Sequence, residues 1–200
     1  MTEKLVTPEF RLSFPQLFEP KGFENGKPKF GLTQLYPKGT DLSKLKKMAF
    51  DAIVEKWSPD KKKWPGNLRS IDFKTYLSPT GKDRWPFRDG DAQNYDGYEG
   101  QISLSARNET RPAVVGPDKQ PIIDTSTIYP GCYGHAVLTA YAYDKSGNRG
   151  VAFSLLAFMK TRDGESFTTR FDPSDFDGVD YGAMADAEDA ANYAAIDDFT

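Results

Sequence analysis

Hydrophobic and polar positions alternate with period two in several stretches of the chain, and that period predicts strands buried on one face. Phe10-Arg11-Leu12-Ser13-Phe14 is the first, limited by Pro15 and followed by a turn-rich loop holding Pro20, Gly22, Gly26 and Pro28. Lys29 to Tyr36 reads as its hairpin partner, with Phe30 and Leu32 on one face, and Pro37-Lys38-Gly39 closes it. The period then changes. Leu42, Leu45, Met48/Ala49, Ala52/Ile53 and Trp57 recur at helical spacing, which predicts a helix over Asp41 to Trp57, capped by Thr40 or Asp41 and stopped by Ser58-Pro59.

Three more strands follow. Tyr98 to Arg107 places Ile102, Leu104 and Ala106 inward and Ser103, Ser105 and Arg107 outward. Tyr133 to Asp144 separates His135, Val137, Thr139, Tyr141 and Tyr143 from Ala136, Leu138, Ala140 and Ala142, and Lys145-Ser146-Gly147-Asn148 turns it into Arg149 to Lys160. Pro112, Pro117, Pro121 and Pro130 make the intervening connection a folded loop with short extended pieces, and Phe167 to Phe171 is a last strand. The fold class is therefore mainly β, most economically an OB-fold-like antiparallel β-barrel with one inserted α-helix; a small β-sandwich also accommodates these elements.

Charge changes the picture at one boundary. The 200 residues carry a formal net charge of −3, which as a whole-chain sum argues against nucleic acid. All 26 Lys and Arg nevertheless lie in residues 1–170, whereas 171–200 hold none and nine of the 29 acids. The body is therefore +6 and the tail −9. We read 1–170 as an OB-fold binding domain and 171–200 as an acidic C-terminal tail. Aromatic residues at 14% are too many for a disordered chain, and no stretch approaches the run of about 18 apolar residues that a membrane span needs. A single cysteine, Cys132, and no secretory h-region at Met1-Thr2-Glu3-Lys4-Leu5 point to a cytoplasmic protein.

Enzyme signatures are weak. Cys132 and His135 stand at C-x-x-H spacing without further Cys or His ligands, so no metal site is expected. Asp89-Gly90-Asp91 offers a carboxylate pair for a nuclease, but no third carboxylate joins it at motif spacing. Neither phosphate-binding glycine pattern occurs, and no cofactor is expected. What stands out is cations interleaved with rings, chiefly in the long loop from Asp60 to Asn94. Single-strand binders need cations to track phosphates and rings on which bases stack. The candidates are Lys61, Lys62, Lys63 and Trp64; Lys82, Arg84, Trp85, Phe87 and Arg88; Arg107 and Arg111; and Tyr141 and Tyr143. Trp64 and Trp85, each among cations and before a proline, are preferred over Phe87, Tyr141 and Tyr143, for which core packing is the stronger reading. At the tail's end, Ile196, Asp197, Asp198 and Phe199 pair an aromatic anchor with acids, and the tail can compete with DNA phosphates for a basic groove.

Several segments, in this order and spacing, resemble phage single-stranded-DNA-binding proteins with a single OB fold. They are the run Phe10 to Pro20, Arg88-Asp89-Gly90-Asp91, Tyr98-Glu99-Gly100, Arg111-Pro112 with Val114-Val115, Tyr129 to Tyr133, and Tyr141-Ala142-Tyr143-Asp144 continuing through Gly147 to Ala152. The resemblance implies a non-enzymatic protein that coats ssDNA with little sequence preference during phage replication, recombination and repair in the cytoplasm of an infected bacterium. It also implies a tail that recruits replication or recombination proteins, as the related binders end in acids and an aromatic. Here Thr200 follows Phe199, which bears on any pocket that needs the aromatic's own carboxylate. Oligomeric state, a homodimer or a cooperative assembly on ssDNA included, stays open. The alternative from another class is a phage structural or assembly protein with a β domain and a charged tail.

Overall fold

The computed structural model describes residues 3–22, 26–145, 147–167 and 177. Its strands are β1 (Leu5–Val6), β2 (Phe10–Lys21), β3 (Lys29–Pro37), β4 (Phe87–Asp89), β5 (Gln101–Asn108), β6 (Ala113–Val115), β7 (Tyr133–Lys145) and β8 (Asn148–Arg162). Helix α1 (Ser43–Trp57) and the single turn α2 (Gly66–Arg69) lie between β3 and β4.

Five strands close on themselves in the order β2-β3-β5-β8-β7 and back to β2. All contacts in this ring are antiparallel except β5 with β8, which pair in parallel through Ala106 and Phe153. This is the Greek-key barrel of an OB fold. Closure removes both sheet edges, leaving β1 on β7, β4 on β5 and β6 on β8 as short additions.

The period-two alternation survives folding. Leu32 and Tyr36 of β3, Leu104 and Ala106 of β5, Ala136, Leu138 and Ala140 of β7, and Phe153 and Leu155 of β8 all enter one core. Helix α1 lays Leu45, Met48, Ala49, Ala52 and Ile53 into the same core and packs on β7 and β8. Its N-cap is Leu42; Asp41 instead accepts the Ser43 N–H at 2.9 Å. The chain leaves the helix at Ser58, whose φ is 135°.

Strand β2 departs from expectation. It does not end at Pro15 but continues to Lys21 across a register shift between Ser13 and Gln16. Phe14 sits in that bulge at φ 46°, so Pro15, which has no N–H to give, falls where the ladder is already interrupted. The predicted strand from Phe167 to Phe171 begins as a bend at Phe167, whose ring lies 4.0 Å from the Arg11 guanidinium carbon; the remainder falls outside the described residues. Chain contacts divide the protein into Met1–Thr168 and Thr169–Thr200, and the tail residues Ile196, Asp197, Asp198 and Phe199 also lie outside the described residues. No helix among the described residues is long and apolar enough to cross a membrane.

Candidate nucleic-acid interface

Side chains that point away from the core on β3, β5, β8 and β7 form one continuous outer face, because neighbouring strands place their outward residues in register. Gly31 lies opposite Arg107, Thr33 opposite Ser105, Tyr141 opposite Ala152 and Tyr143 opposite Gly150. Across this face runs a groove of about 330 Å³. Lys27 reaches it from the β2–β3 connection, Lys29 from the start of β3, Arg84 and Arg88 from the segment before and within β4, Arg107 from β5, and Tyr141 and Tyr143 from β7. In OB folds, the face of the second and third strands with the loops joining strands one to two and four to five holds oligonucleotides. Here these are β3, β5, the described residues 26–28 before β3, and the β7–β8 hairpin.

Local sequence explains each position. The segment Gly81 to Pro86 is strapped to the β7–β8 hairpin: Asn67 Nδ2 donates to Asp83 O at 2.7 Å and to Arg149 O at 3.0 Å, and Arg84 Nη2 donates to Asn148 Oδ1 at 3.1 Å. Gly81, at φ +69°, leaves room for the Arg88 guanidinium, which a Cβ there would meet at 2.7 Å. Gly150 does the same for Tyr143, whose hydroxyl would lie 2.7 Å from an added Cβ. Opposite Tyr141 the partner is only alanine, so its ring stays 43% exposed.

Electrostatics favour an anion. Desolvation, and then the nearby Arg88 charge, lower the pKa of Arg107. Two cations that repel each other in a partly dry groove gain from a phosphate placed between them. Burial, followed by Tyr143, raises the pKa of Tyr141, so its ring presents a neutral phenol. Lys27 and Lys29 stand 3.7 Å from the exposed Glu109, pairs loose enough to be exchanged for a ligand.

Of the residues singled out from the sequence, Arg84, Arg88, Arg107, Tyr141 and Tyr143 converge here. Others do not. Trp64, Trp85 and Phe87 are 3%, 1% and 0% exposed, which removes them as stacking platforms. Phe50, Trp64, Phe73, Trp85, Phe87 and Phe153 instead form a ladder of rings from α1 into the barrel, with successive centroids 4.9–5.9 Å apart. Trp64 Nε1 donates to Ser58 O at 2.7 Å. Trp85 contributes only to the groove floor. Lys61, Lys62 and Lys63 form an exposed 3₁₀ turn capped by Asp60, away from the groove. Lys82 is exposed on the strapped segment without lining the groove, and Arg111 lies over the Phe18 ring at 5.7 Å. Sequence reasoning missed Lys27 and Lys29; their position at the end of the first hairpin connection and the start of the strand after it was the available signal.

The alternative chemistry is otherwise engaged. Asp89 and Asp91 both hold Lys38 Nζ, at 2.7 and 2.6 Å, and Asp91 also accepts the Gly100 N–H at 2.6 Å. Cys132 is fully buried, and His135 Nδ1 bonds Thr7 O at 2.9 Å. Among the described residues no three His, Cys, Asp or Glu side chains gather as a metal site.

A closed OB barrel with a cationic, tyrosine-lined groove across its β3–β5 face belongs to the oligomer-binding class of this fold. Comparison with known proteins narrows the class. Residues 3–191 match the profile of the Enterobacter phage Enc34 ssDNA-binding protein family, and the chain belongs to that family. It is 37% identical over 170 residues to protein p50 of Acyrthosiphon pisum secondary endosymbiont phage 1, covering 82% of this chain and 86% of that one. In fold it is similar to the single-stranded DNA-binding protein of bacteriophage Enc34 solved in complex with ssDNA: TM-score 0.64, 24% identity, covering 82% of this chain and 89% of that one. Gp2.5, a single-stranded DNA binding protein of bacteriophage T7, matches with a TM-score of 0.56 at 12% identity, over 85% of this chain and 97% of that one.

Proposed function

We propose that this protein binds single-stranded DNA without catalysing a reaction on it, holding the strand in the groove between the first hairpin connection, β5 and β7. The carrying observation is the convergence of Lys27, Lys29, Arg84, Arg88 and Arg107 with the Tyr141 and Tyr143 rings on the ligand-binding face of an OB barrel. Membership of the Enc34 ssDNA-binding family supports it. Cations that track phosphates and rings that accept any base give affinity with little sequence preference.

The finer reading extends this to coating of ssDNA in phage DNA replication, recombination and repair, with residues 171–200 as an acidic tail. That tail competes with DNA and recruits partner proteins through Ile196, Asp197, Asp198 and Phe199. Its nine acids oppose the +6 of the preceding 170 residues, which is the charge relation a competitor needs.

A salt titration of poly-dT binding tests both layers. Five neutralised phosphates give a log–log salt slope of about −3.5, at about 0.7 per phosphate for single strands. A chain cut after residue 170 is expected to bind more tightly at low salt, the gap closing as salt rises. Failure of either chain to bind poly-dT would remove the proposed function. Equal affinity for the two would remove tail competition alone. Duplex DNA and RNA in the same titration measure strand and sugar preference, and sedimentation of the complexes reads homodimer against cooperative assembly.

A further inference from the structure

We propose that Phe14 and Tyr95 form a second base-stacking station, which takes up the strand where it leaves the groove and lengthens the ssDNA track across β5, β3 and β2. The inference rests on the groove being an ssDNA site.

Both rings are displayed rather than packed away. Phe14 and Tyr95 are 49% and 56% exposed, among the most open large apolar side chains of the described residues. Their centroids lie 5.2 Å apart in an edge-to-face contact. A third ring braces them from behind: Tyr98 is buried, lies 5.2 Å from Tyr95 and 6.5 Å from Phe14, and its hydroxyl bonds Ser13 Oγ at 3.2 Å. Rings fixed in this way lose little further freedom when a base stacks on them.

The backbone makes the same point. Phe14 adopts φ 46° in the middle of a strand, a left-handed conformation that an L side chain adopts only at a cost. The bulge at this position turns the phenyl ring out of the barrel, where core packing gains nothing from it. Strain held at an exposed aromatic is accounted for by a ligand that uses the ring.

The station continues the groove. Ser105 lines the groove and lies opposite Thr33, which lies opposite Ser13, the residue before Phe14. Thr33 Oγ1 and Ser105 Oγ are 3.0 Å apart and form a polar floor, beyond which the buried Ser13 Oγ accepts the Tyr98 hydroxyl beneath the two rings. Two strand spacings, about 10 Å, carry the row from Ser105 to Ser13. Arg88, a groove residue, lies opposite Ser103, two residues before Ser105 on β5. The strand therefore crosses from Tyr141 and Arg107 over Ser105 and Thr33 to the two rings.

Because the station adds rings without adding cations, the two separate experimentally. Oligo-dT of graded length is titrated against the full chain and its Phe14→Gly and Tyr95→Ala variants at several salt concentrations. Glycine suits the backbone at position 14, so that variant should melt at or above the wild-type temperature; Tyr95→Ala decides the matter if it does not. Expected are wild-type affinity for oligonucleotides that fill only the groove and an affinity about 5- to 150-fold lower, per base stacked, on longer ones, with the salt slope unchanged. Equal affinities at every length, with wild-type binding intact, would overturn the station and leave the groove standing. A loss accompanied by a shallower salt slope would overturn it too, because the variants would then be acting through the cations. Wild-type protein that binds no oligo-dT removes the groove reading on which the station depends.

Discussion

Replacing Trp85 by alanine is expected to destabilise the protein by about 3–5 kcal/mol, the usual cost of removing a large buried ring and leaving a cavity. The indole is 1% exposed and sits between Phe73 at 4.9 Å and Phe87 at 5.3 Å, at the middle of the ladder joining the 60–94 segment to the barrel. A domain of this kind has a total stability of about 5–15 kcal/mol, so the loss is a large share of it. Urea unfolding followed by circular dichroism reads the effect directly. Trp85→Phe is expected to be much milder. It keeps a ring in the ladder and removes Nε1, a buried donor that finds no acceptor among the described residues. The opposite result, a Trp85→Ala protein with a wild-type midpoint and a large loss of ssDNA affinity, would return this ring to the binding surface.

Trp85 also shows where local sequence stops being informative. Lys82, Arg84 and Arg88 are exposed or reach the groove, while Trp85 and Phe87 between them are buried. In extended chain successive side chains face opposite ways, so a cation beside a ring says little about the ring's own exposure. Strands β5, β7 and β8 and helix α1 were legible because each buries one face, and one-sided burial leaves a period in the sequence. The run of β2 through Pro15 was not, since a bulge cancels the usual meaning of proline in a strand. Two of the groove's cations were equally hidden. Lys27 and Lys29 meet Arg107 and Tyr141 only because β3 pairs with β5 and β7 with β8, and those long-range pairings close the barrel. Tyr141 and Tyr143 could be assigned to one face of β7, but which face looks outward depended on the alanines opposite them going in.

Neutralising Arg88 and Arg107 together is expected to lower ssDNA affinity by about 10²- to 10⁴-fold at low salt. Hydrogen bonds to charged groups contribute about 1.5–3 kcal/mol each, and two are removed. Arg107 sits beside Arg88 in a partly desolvated groove, and desolvation, followed by the Arg88 charge, lowers its pKa. A phosphate relieves the repulsion and offsets a desolvation cost already incurred in the free protein, so these arginines contribute more to binding than solvated lysines do. The Arg88→Gln/Arg107→Gln protein should also show a salt slope shallower by about 1.4, two phosphates at about 0.7 each. Arg107 projects from the outer face of β5 and Arg88 lies against Gly81, so the unfolding midpoint should change little. Lys61, Lys62 and Lys63 provide the control. Replacing all three by alanine removes more charge than the arginine pair does, yet they lie outside the groove, and a change of only a few fold is expected, vanishing as salt rises. If the lysine variant lost as much affinity as the arginine variant, binding would be responding to the summed charge of the body and not to the geometry of the groove.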